Sequence, residues 1–192
     1  MNEILDMLNK YLKDKKAVNS EIIKNILEKI TALNFNEMVE NLSEMLHKLG
    51  ILMEINGGIE NLSDVLATNF TLFIQKLLQD EEIKYELNLT PNMTFNLSIG
   101  KRAMGVEIKD GTINFRAEPF KWPDEPLDFF VEIPLDIIPK IFTGKENLMV
   151  ELMAGERIKL WREKLPYNAG KLFELMPLLS ITLEKLNLDK WL

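Results

Sequence analysis

The chain has no cysteine and a single histidine, His47, among its 192 residues. The lack of cysteine excludes disulfides, thiolate zinc sites, iron–sulfur clusters and cysteine nucleophiles. A Ser–His–Asp system or a histidine-ligated metal would have to use His47, which lies in a predicted helix with no serine motif nearby. We therefore expect no metal site, no cofactor and no catalytic residue, and predict that the protein is not an enzyme.

Positive charge is also scarce, because 23 Lys and Arg face 30 Asp and Glu, for a net charge of −7. Lys and Arg provide most of the affinity for nucleic acids and for anionic lipid surfaces, so neither partner is expected.

No apolar run approaches the roughly 18 residues that span a bilayer. The N-terminal segment MNEILDMLNKYLKDKK is amphipathic and has no apolar leader. We expect a cytoplasmic protein without stable membrane insertion.

Helical periodicity dominates the chain up to about residue 80. The apolar stripes that predict helices lie at residues 4–12, 22–30, 38–49 and 62–77. Asn19 or Ser20 can cap the second helix, and Gly50 stands where a C-terminal glycine would end the third. Gly57-Gly58 is the strongest break. We predict a helical N-terminal region over 1–57 and a second domain over 58–192.

Beyond residue 80 the apolar residues alternate with polar ones, which is the pattern of strands with one buried face. Alternating segments lie at residues 83–89, 93–99, 104–109, 113–116 and 127–133. The 83–89 segment could instead be a helix end, and Asp110-Gly111 indicates a hairpin. A last strand is expected over Arg157–Arg162. The fold class predicted is α+β, with a mainly antiparallel sheet of five or six strands covered by helices.

The remaining elements are helical and unusually apolar. Two short helices are expected over 135–142 and 148–153, separated by Gly144. A longer apolar helix over 168–188 should break or kink near Met176, because Pro177 lacks a backbone N–H.

A family resemblance emerges from the order of elements between Asp128 and Lys159. The order is strand, short helix, Gly144, second short helix, Gly155 and strand, with eleven positions from the first glycine to the second. Met153 precedes the second glycine. This pattern resembles the core of the sterol carrier protein type 2 family, small domains that hold one lipid in an apolar cavity.

The resemblance covers about residues 60–192, since the upstream meander and the helix before it also match the family pattern. The chain departs from that pattern at Trp161, where the family often has a glycine, and residues 1–57 have no counterpart. The resemblance implies noncovalent binding and transport or presentation of a fatty acid, acyl thioester, isoprenoid or sterol-like lipid. The alternative is a protein-interaction module, or an accessory module of a lipid-modifying enzyme, whose N-terminal helices dock a partner protein or a second copy.

The two short helices, the strand before them and the last helix carry more apolar residues than are needed to cover a sheet. This excess predicts where the cavity lies. The candidate cavity residues are Phe129, Phe130, Leu148, Met149, Met153, Leu172, Phe173, Met176 and Leu179. Methionine is adaptable and suits flexible ligands, although each of these residues could simply fill the core. Arg157, Lys159 and Arg162 form a basic strip that could contact a lipid headgroup, or could be a solvated strand face.

Two further polar groupings have ordinary explanations. Ser98 and Lys101 fit a Ser-x-x-Lys spacing, but at a strand end and not at a helix start. Asp124, Glu125 and Asp128 could do acid–base work. They belong to a proline-rich loop and its end, where solvated charges are expected.

Overall fold

The computed structural model of the protein describes residues 2–14, 18–56, 62–154, 156–162 and 165–188. Within these ranges the chain forms eight helices and four strands in an α+β fold. The helices are α1 (Asn2–Asp14), α2 (Ser20–Ala32), α3 (Phe35–Asn56), α4 (Ser63–Leu77), α5 (Glu81–Leu89), α6 (Ile138–Thr143), α7 (Leu148–Ala154) and α8 (Ala169–Lys185). The strands are β1 (Met93–Ile99), β2 (Arg102–Lys109), β3 (Thr112–Arg116) and β4 (Phe129–Ile133).

The N-terminal helices follow the predicted stripes closely. Asn19 caps α2 as expected, since its side chain accepts a hydrogen bond from the backbone N–H of Ile22 at 3.0 Å. The prediction that α3 ends at Gly50 is wrong, because the helix continues to Asn56. A Cβ on Gly50 would lie 2.8 Å from Cβ of Phe142 and 2.9 Å from the carbonyl oxygen of Pro139. Gly50 therefore permits close packing of α3 on α6.

Contacts between the first three helices and the rest of the chain are extensive. The Lys76 ammonium of α4 donates to the carbonyls of Thr31 and Leu33 at the C-terminus of α2. Lys145 pairs with Glu54 of α3. Buried apolar residues from both predicted regions form one cluster. The predicted boundary at Gly57-Gly58 lies outside the described residues.

The sheet has the strand order β3-β2-β1-β4. β1 pairs antiparallel with β2, and β2 pairs antiparallel with β3, joined by the predicted turn at Asp110-Gly111. β4 lies on the other side of β1 and runs parallel to it. The prediction of five or six mainly antiparallel strands is therefore wrong, since the described residues form a mixed sheet of four.

The parallel pair results from how β4 begins. The Asp128 side chain accepts a hydrogen bond from the backbone N–H of Thr94 at 2.8 Å, and the Asp128 N–H donates to the Thr94 carbonyl at 2.8 Å. These bonds hold the start of β4 beside the start of β1, so both strands run in one direction. The loop over 117–127 provides the crossover that a parallel connection requires.

The 83–89 segment is a helix and not a strand. The Asp80 carboxylate accepts hydrogen bonds from the backbone N–H groups of Glu82 and Ile83, and so caps α5. Ile83 and Leu87 are buried one helical turn apart. Apolar residues over so short a segment fit the spacing of a strand and the spacing of a helix equally well. The Asp80 cap favours the helix.

The strand predicted over Arg157–Arg162 is reduced to one bridge. Glu132 and Lys159 exchange two backbone hydrogen bonds of 2.9 Å and 3.0 Å at the free edge of β4. Neighbouring residues do not extend this pairing into a strand within the described chain. Gly155, the second glycine of the family pattern, lies outside the described residues.

The two faces of the sheet have different covers. Phe95 and Leu97 of β1 are buried, and with Met104 and Val106 of β2 they form the face on which α4 packs. Asn96 points to the opposite face, where its side chain makes two hydrogen bonds with the backbone of Phe120, of 2.7 Å and 3.0 Å. These bonds fix the 117–127 loop over that second face.

The last helix does not break where the sequence predicted. α8 runs from Ala169 to Lys185 with Pro177 inside it, although Pro177 gives no N–H to the helix. Its buried leucines, at positions 172, 175, 178 and 183, hold it on α5 and β4, and this packing outweighs one missing hydrogen bond. No helix among the described residues is long and apolar enough to cross a bilayer.

Candidate functional site

The residues predicted to line a cavity differ widely in exposure. Phe129, Phe130 and Leu172 are buried. Met153 and Phe173 are more than half exposed, at 58% and 54%. The others are half-buried against the core: Leu148, Met149, Met176 and Leu179. None of the nine lines either of the two clefts described below.

The basic strip predicted to meet a headgroup is largely paired with carboxylates. Arg157 contacts Asp136 at 2.5 Å and Glu146 at 3.2 Å. Arg162 contacts Glu132 at 2.8 Å, and its guanidinium lies 5.7 Å from the centre of the Phe130 ring. Lys159 is exposed beside these pairs. Because both guanidiniums already have anionic partners, an incoming headgroup would have to displace them.

The polar groupings of the sequence have structural roles. The Ser98 hydroxyl donates to the carbonyl of Gly100 at 3.3 Å. Glu125 accepts from Arg116 at 2.6 Å and from the Lys121 N–H at 2.8 Å. These bonds hold the pKa of Glu125 below its usual range, with the Arg116 hydrogen bond as the main cause. His47 is exposed on α3.

The described residues contain no group of three or more His, Asp or Glu side chains that could hold a metal ion. The acidic residues of the 117–128 segment are spread over a loop and the start of β4, where Glu125 and Asp128 serve structural hydrogen bonds.

A cleft of about 290 Å³ lies between α4 and the β2–β3 edge of the sheet. Its lining residues are Ala67, Thr68, Thr71, Leu72 and Gln75 from α4, Arg102 and Met104 from β2, and Phe115, Arg116 and Ala117 from the end of β3 and beyond. The cleft is open to solvent, and its volume is close to the lower end of ligand pockets, about 300 Å³. It is our candidate functional site.

The floor of the cleft is apolar and firmly held. Met104 and Ala67 are buried, and the Phe115 ring meets Phe70 of α4 edge-on, with centroids 6.3 Å apart. The Thr71 hydroxyl donates to the carbonyl of Ala67 at 3.1 Å and lies 3.9 Å from Sδ of Met104. The contacts of Phe70 with Phe115 and of Thr71 with Met104 join α4 to β3 and β2 along the cleft.

Leu72 and Arg102 give the rim its mixed character. The Leu72 side chain is 48% exposed at the mouth, although it is large and apolar. The Arg102 side chain is 41% exposed, and its Nε lies 3.7 Å from Oδ1 of Asp64. The site thus combines an apolar floor with two arginines, of which Arg116 pairs closely with Glu125 at 2.6 Å and Arg102 does not have such a close partner.

Sequence reasoning missed this cleft. The alternation along β2 does place Arg102 on the same face as Met104. The sequence contains no sign of a binding site here, because the cleft depends on where α4 crosses the sheet. No local sequence pattern specifies that crossing. An isolated arginine at the start of a strand, such as Arg102, usually indicates only that this end of the strand is exposed to solvent.

A second cleft, of about 340 Å³, lies between α1 and α2. Its lining residues are Met7, Tyr11, Asn19, Glu21, Ile22, Asn25 and Lys29. Lys29 at this cleft is paired with Glu3 at 2.7 Å, and this bond lowers the pKa of Glu3. Its charged residues are of both signs, so no single ligand charge is favoured.

Comparisons with known proteins give little. No family model matches the chain, and no curated protein matches it. Among solved structures, a double mutant of the sec-alkyl sulfatase PisA1 is similar with a TM-score of 0.39 and 12% identity. The alignment covers 93% of this chain and 30% of the sulfatase chain, so this chain spans less than a third of that protein. A likeness at this level carries no argument about fold or function.

Proposed function

We propose that the protein binds a hydrophobic ligand noncovalently and transports or presents it. The observation that carries the proposal is the open cleft between α4 and β2–β3, whose floor is formed by Ala67, Met104 and Phe115. Apolar side chains that face a solvent-accessible cleft gain free energy when a ligand covers them, at about 25 cal/mol per Å² of apolar surface buried.

The sequence resemblance to the sterol carrier protein type 2 family supports the same class of ligand. The proposal assigns the chain no cofactor and no catalytic step, because Ser98, Glu125 and Asp128 are used in structural hydrogen bonds. A cytoplasmic location, expected from the sequence, is part of the proposal.

The experiment combines lipid analysis with a blocked cleft. Purified protein is extracted with organic solvent for lipid mass spectrometry, and a fluorescent fatty-acid probe is titrated into wild type and Thr68→Trp. Thr68 is exposed and lines the cleft, so an indole there should fill the opening. We expect saturable probe binding that weakens about tenfold in the variant, a loss of about 1.4 kcal/mol.

The matched control is Gln79→Trp, which adds the same indole at an exposed position just after α4 and outside the cleft. This variant should bind the probe as wild type does. Absence of both saturable probe binding and extractable lipid would exclude the proposed function.

A second candidate function, a protein-interaction module, is favoured by exposed apolar side chains elsewhere. Tyr85 and Leu89 stand one helical turn apart on α5 with 65% and 59% exposure, and Trp161 is 67% exposed. Val150 and Met153 are similarly exposed on α7. Native mass spectrometry separates the two functions, because it would show either bound small molecules or protein assemblies. These exposed side chains lie on α5, on α7 and after α7, whereas the sequence placed the docking surface for a partner or a second copy on the N-terminal helices.

A further inference from the structure

Arg102 lies where a ligand's charged end would leave the cleft. Residues of β2 alternate between the two faces of the sheet, and Arg102 shares its face with Met104 and Val106, which are buried beneath the helices. The Arg102 side chain reaches the rim, so a tail that rests on Met104 would bring its head to the guanidinium.

The guanidinium of Arg102 is only loosely paired. Its Nε lies 3.7 Å from Oδ1 of Asp64, which is longer than a hydrogen bond. The Asp64 side chain is 83% exposed, and solvent-exposed ion pairs of this kind contribute little to stability. Within the described part of the chain, the guanidinium makes no hydrogen bond, so its N–H groups can donate to a ligand oxygen.

Polar groups on α4 continue from this cation along the opening. Asp64, Thr68, Thr71 and Gln75 recur at spacings of four, three and four residues, which places them on one face of the helix. Thr68 and Gln75 are exposed and line the cleft. A hydroxyl and an amide beside a guanidinium provide the donors that a carboxylate accepts.

We propose that the cleft takes a short-chain amphiphile with a carboxylate head, bound by Arg102 and with its tail on Met104, Phe115 and Leu72. This inference rests on the proposed function and names the ligand class of the same site. The head carries one negative charge, because Glu125 already neutralises Arg116 at 2.6 Å, which leaves Arg102 to balance one charge, and Asp64 repels a second. The tail is short, because the cleft measures about 290 Å³.

Isothermal titration calorimetry with three ligands of equal chain length tests the proposal: octanoate, 1-octanol and octylammonium. Wild type should bind octanoate most tightly, 1-octanol more weakly and octylammonium least. Arg102→Gln should weaken octanoate binding about tenfold and leave 1-octanol unchanged, because hydrogen bonds to charged groups are the stronger ones. Octanoate binding by wild type should also weaken at 0.5 M salt through screening.

Asp64→Asn gives a change in the opposite direction. It removes the competing carboxylate, so octanoate should bind about two- to fivefold more tightly while 1-octanol is unaffected. The matched control is Arg162→Gln, which deletes an exposed arginine that pairs with Glu132 far along the chain. That variant should bind octanoate as wild type does. Thermal unfolding of each variant confirms that the fold is retained.

The outcomes are distinguishable. Equal binding of octanoate and 1-octanol, with no effect of Arg102→Gln, would overturn the anionic-ligand inference and leave the proposed function intact. Loss of octanoate binding in Arg162→Gln and not in Arg102→Gln would overturn the inference, because the carboxylate would then bind at the basic strip predicted from the sequence. Binding of none of the three ligands would overturn this inference, while the lipid extract and the fluorescent fatty-acid probe decide the proposed function separately.

Discussion

Phe95 of β1 and Phe129 of β4 stack face to face, with ring centroids 4.9 Å apart and planes inclined by 8°. The two residues are partners in the parallel register, and Phe129 has no exposed surface. The stack therefore joins the strand pair that distinguishes this sheet from the antiparallel one predicted. It also places Phe129 deep in the core, whereas the sequence assigned it to a ligand cavity.

Replacement of Phe129 by alanine tests this placement. We expect Phe129→Ala to lower the free energy of unfolding by about 3–5 kcal/mol, as for large-to-small changes at buried aromatic positions. Phe173→Ala is the matched control, because Phe173 is 54% exposed and should lose well under 1 kcal/mol. Urea denaturation measures both. Wild-type stability with lost probe binding in Phe129→Ala would instead assign Phe129 to a cavity.

Gly50 of α3 should reject even one added methyl group. At an exposed helix position, Gly→Ala stabilises by about 1 kcal/mol. Here the new Cβ would lie 2.8 Å from Cβ of Phe142 and 2.9 Å from a backbone oxygen, so α3 and α6 would have to separate. We expect Gly50→Ala to destabilise the protein by about 1–3 kcal/mol.

The control for Gly50 is Glu40→Ala, on an exposed position of the same helix. Its stability should stay within about 0.5 kcal/mol of wild type in the same urea denaturation. A stabilised Gly50→Ala would show that α3 and α6 do not meet as closely as described.

Glu125 should make the loop over the second sheet face sensitive to acid. The hydrogen bond from Arg116, and then that from the Lys121 N–H, lower the pKa of Glu125 in the folded protein. A carboxyl group with a lowered folded pKa stabilises the fold above its unfolded pKa, and the stabilisation disappears as pH falls through the folded pKa. We expect wild type to exceed Glu125→Gln in stability at neutral pH, with the difference closing below the usual carboxyl range.

Thermal unfolding between pH 7 and pH 2.5 provides this comparison, with Glu118→Gln as the control for loss of one carboxylate in the same loop. A difference between wild type and Glu125→Gln that stays constant down to the lowest pH would contradict the assigned hydrogen bonds.

The local elements of this fold were largely readable from the sequence. The Asn19 cap, the Asp110-Gly111 turn and the strand at 93–99 all depend on neighbouring residues, and the structure confirms them. The strand predicted over 127–133 is also present, but it begins two residues later, at Phe129. Local signals failed at Gly50, where tertiary packing and not helix termination requires a glycine. The break expected at Pro177 is also absent, because packing of α8 maintains the helix there.

The candidate site was much harder to predict. Its walls come from α4, β2 and β3, and only the crossing of the helix over the sheet brings Thr68, Arg102 and Phe115 together. The helices α7 and α8 are indeed rich in apolar residues. The sequence alone does not distinguish an apolar residue in the core, such as Leu172, from one on the surface, such as Met153.

Methionine methyl groups offer the most direct test of the central claim, that the cleft between α4 and β2–β3 binds the ligand. Met104 lies in the cleft, whereas Met149, Met153 and Met176 belong to the cavity predicted from the sequence. NMR spectra of protein labelled at its methionine methyls can be recorded during titration with octanoate and, separately, with 1-octanol. We predict a saturable shift of the Met104 methyl with both ligands and unchanged signals from the other three. Shifts confined to Met149, Met153 and Met176, or no saturable shift at all, would contradict the account.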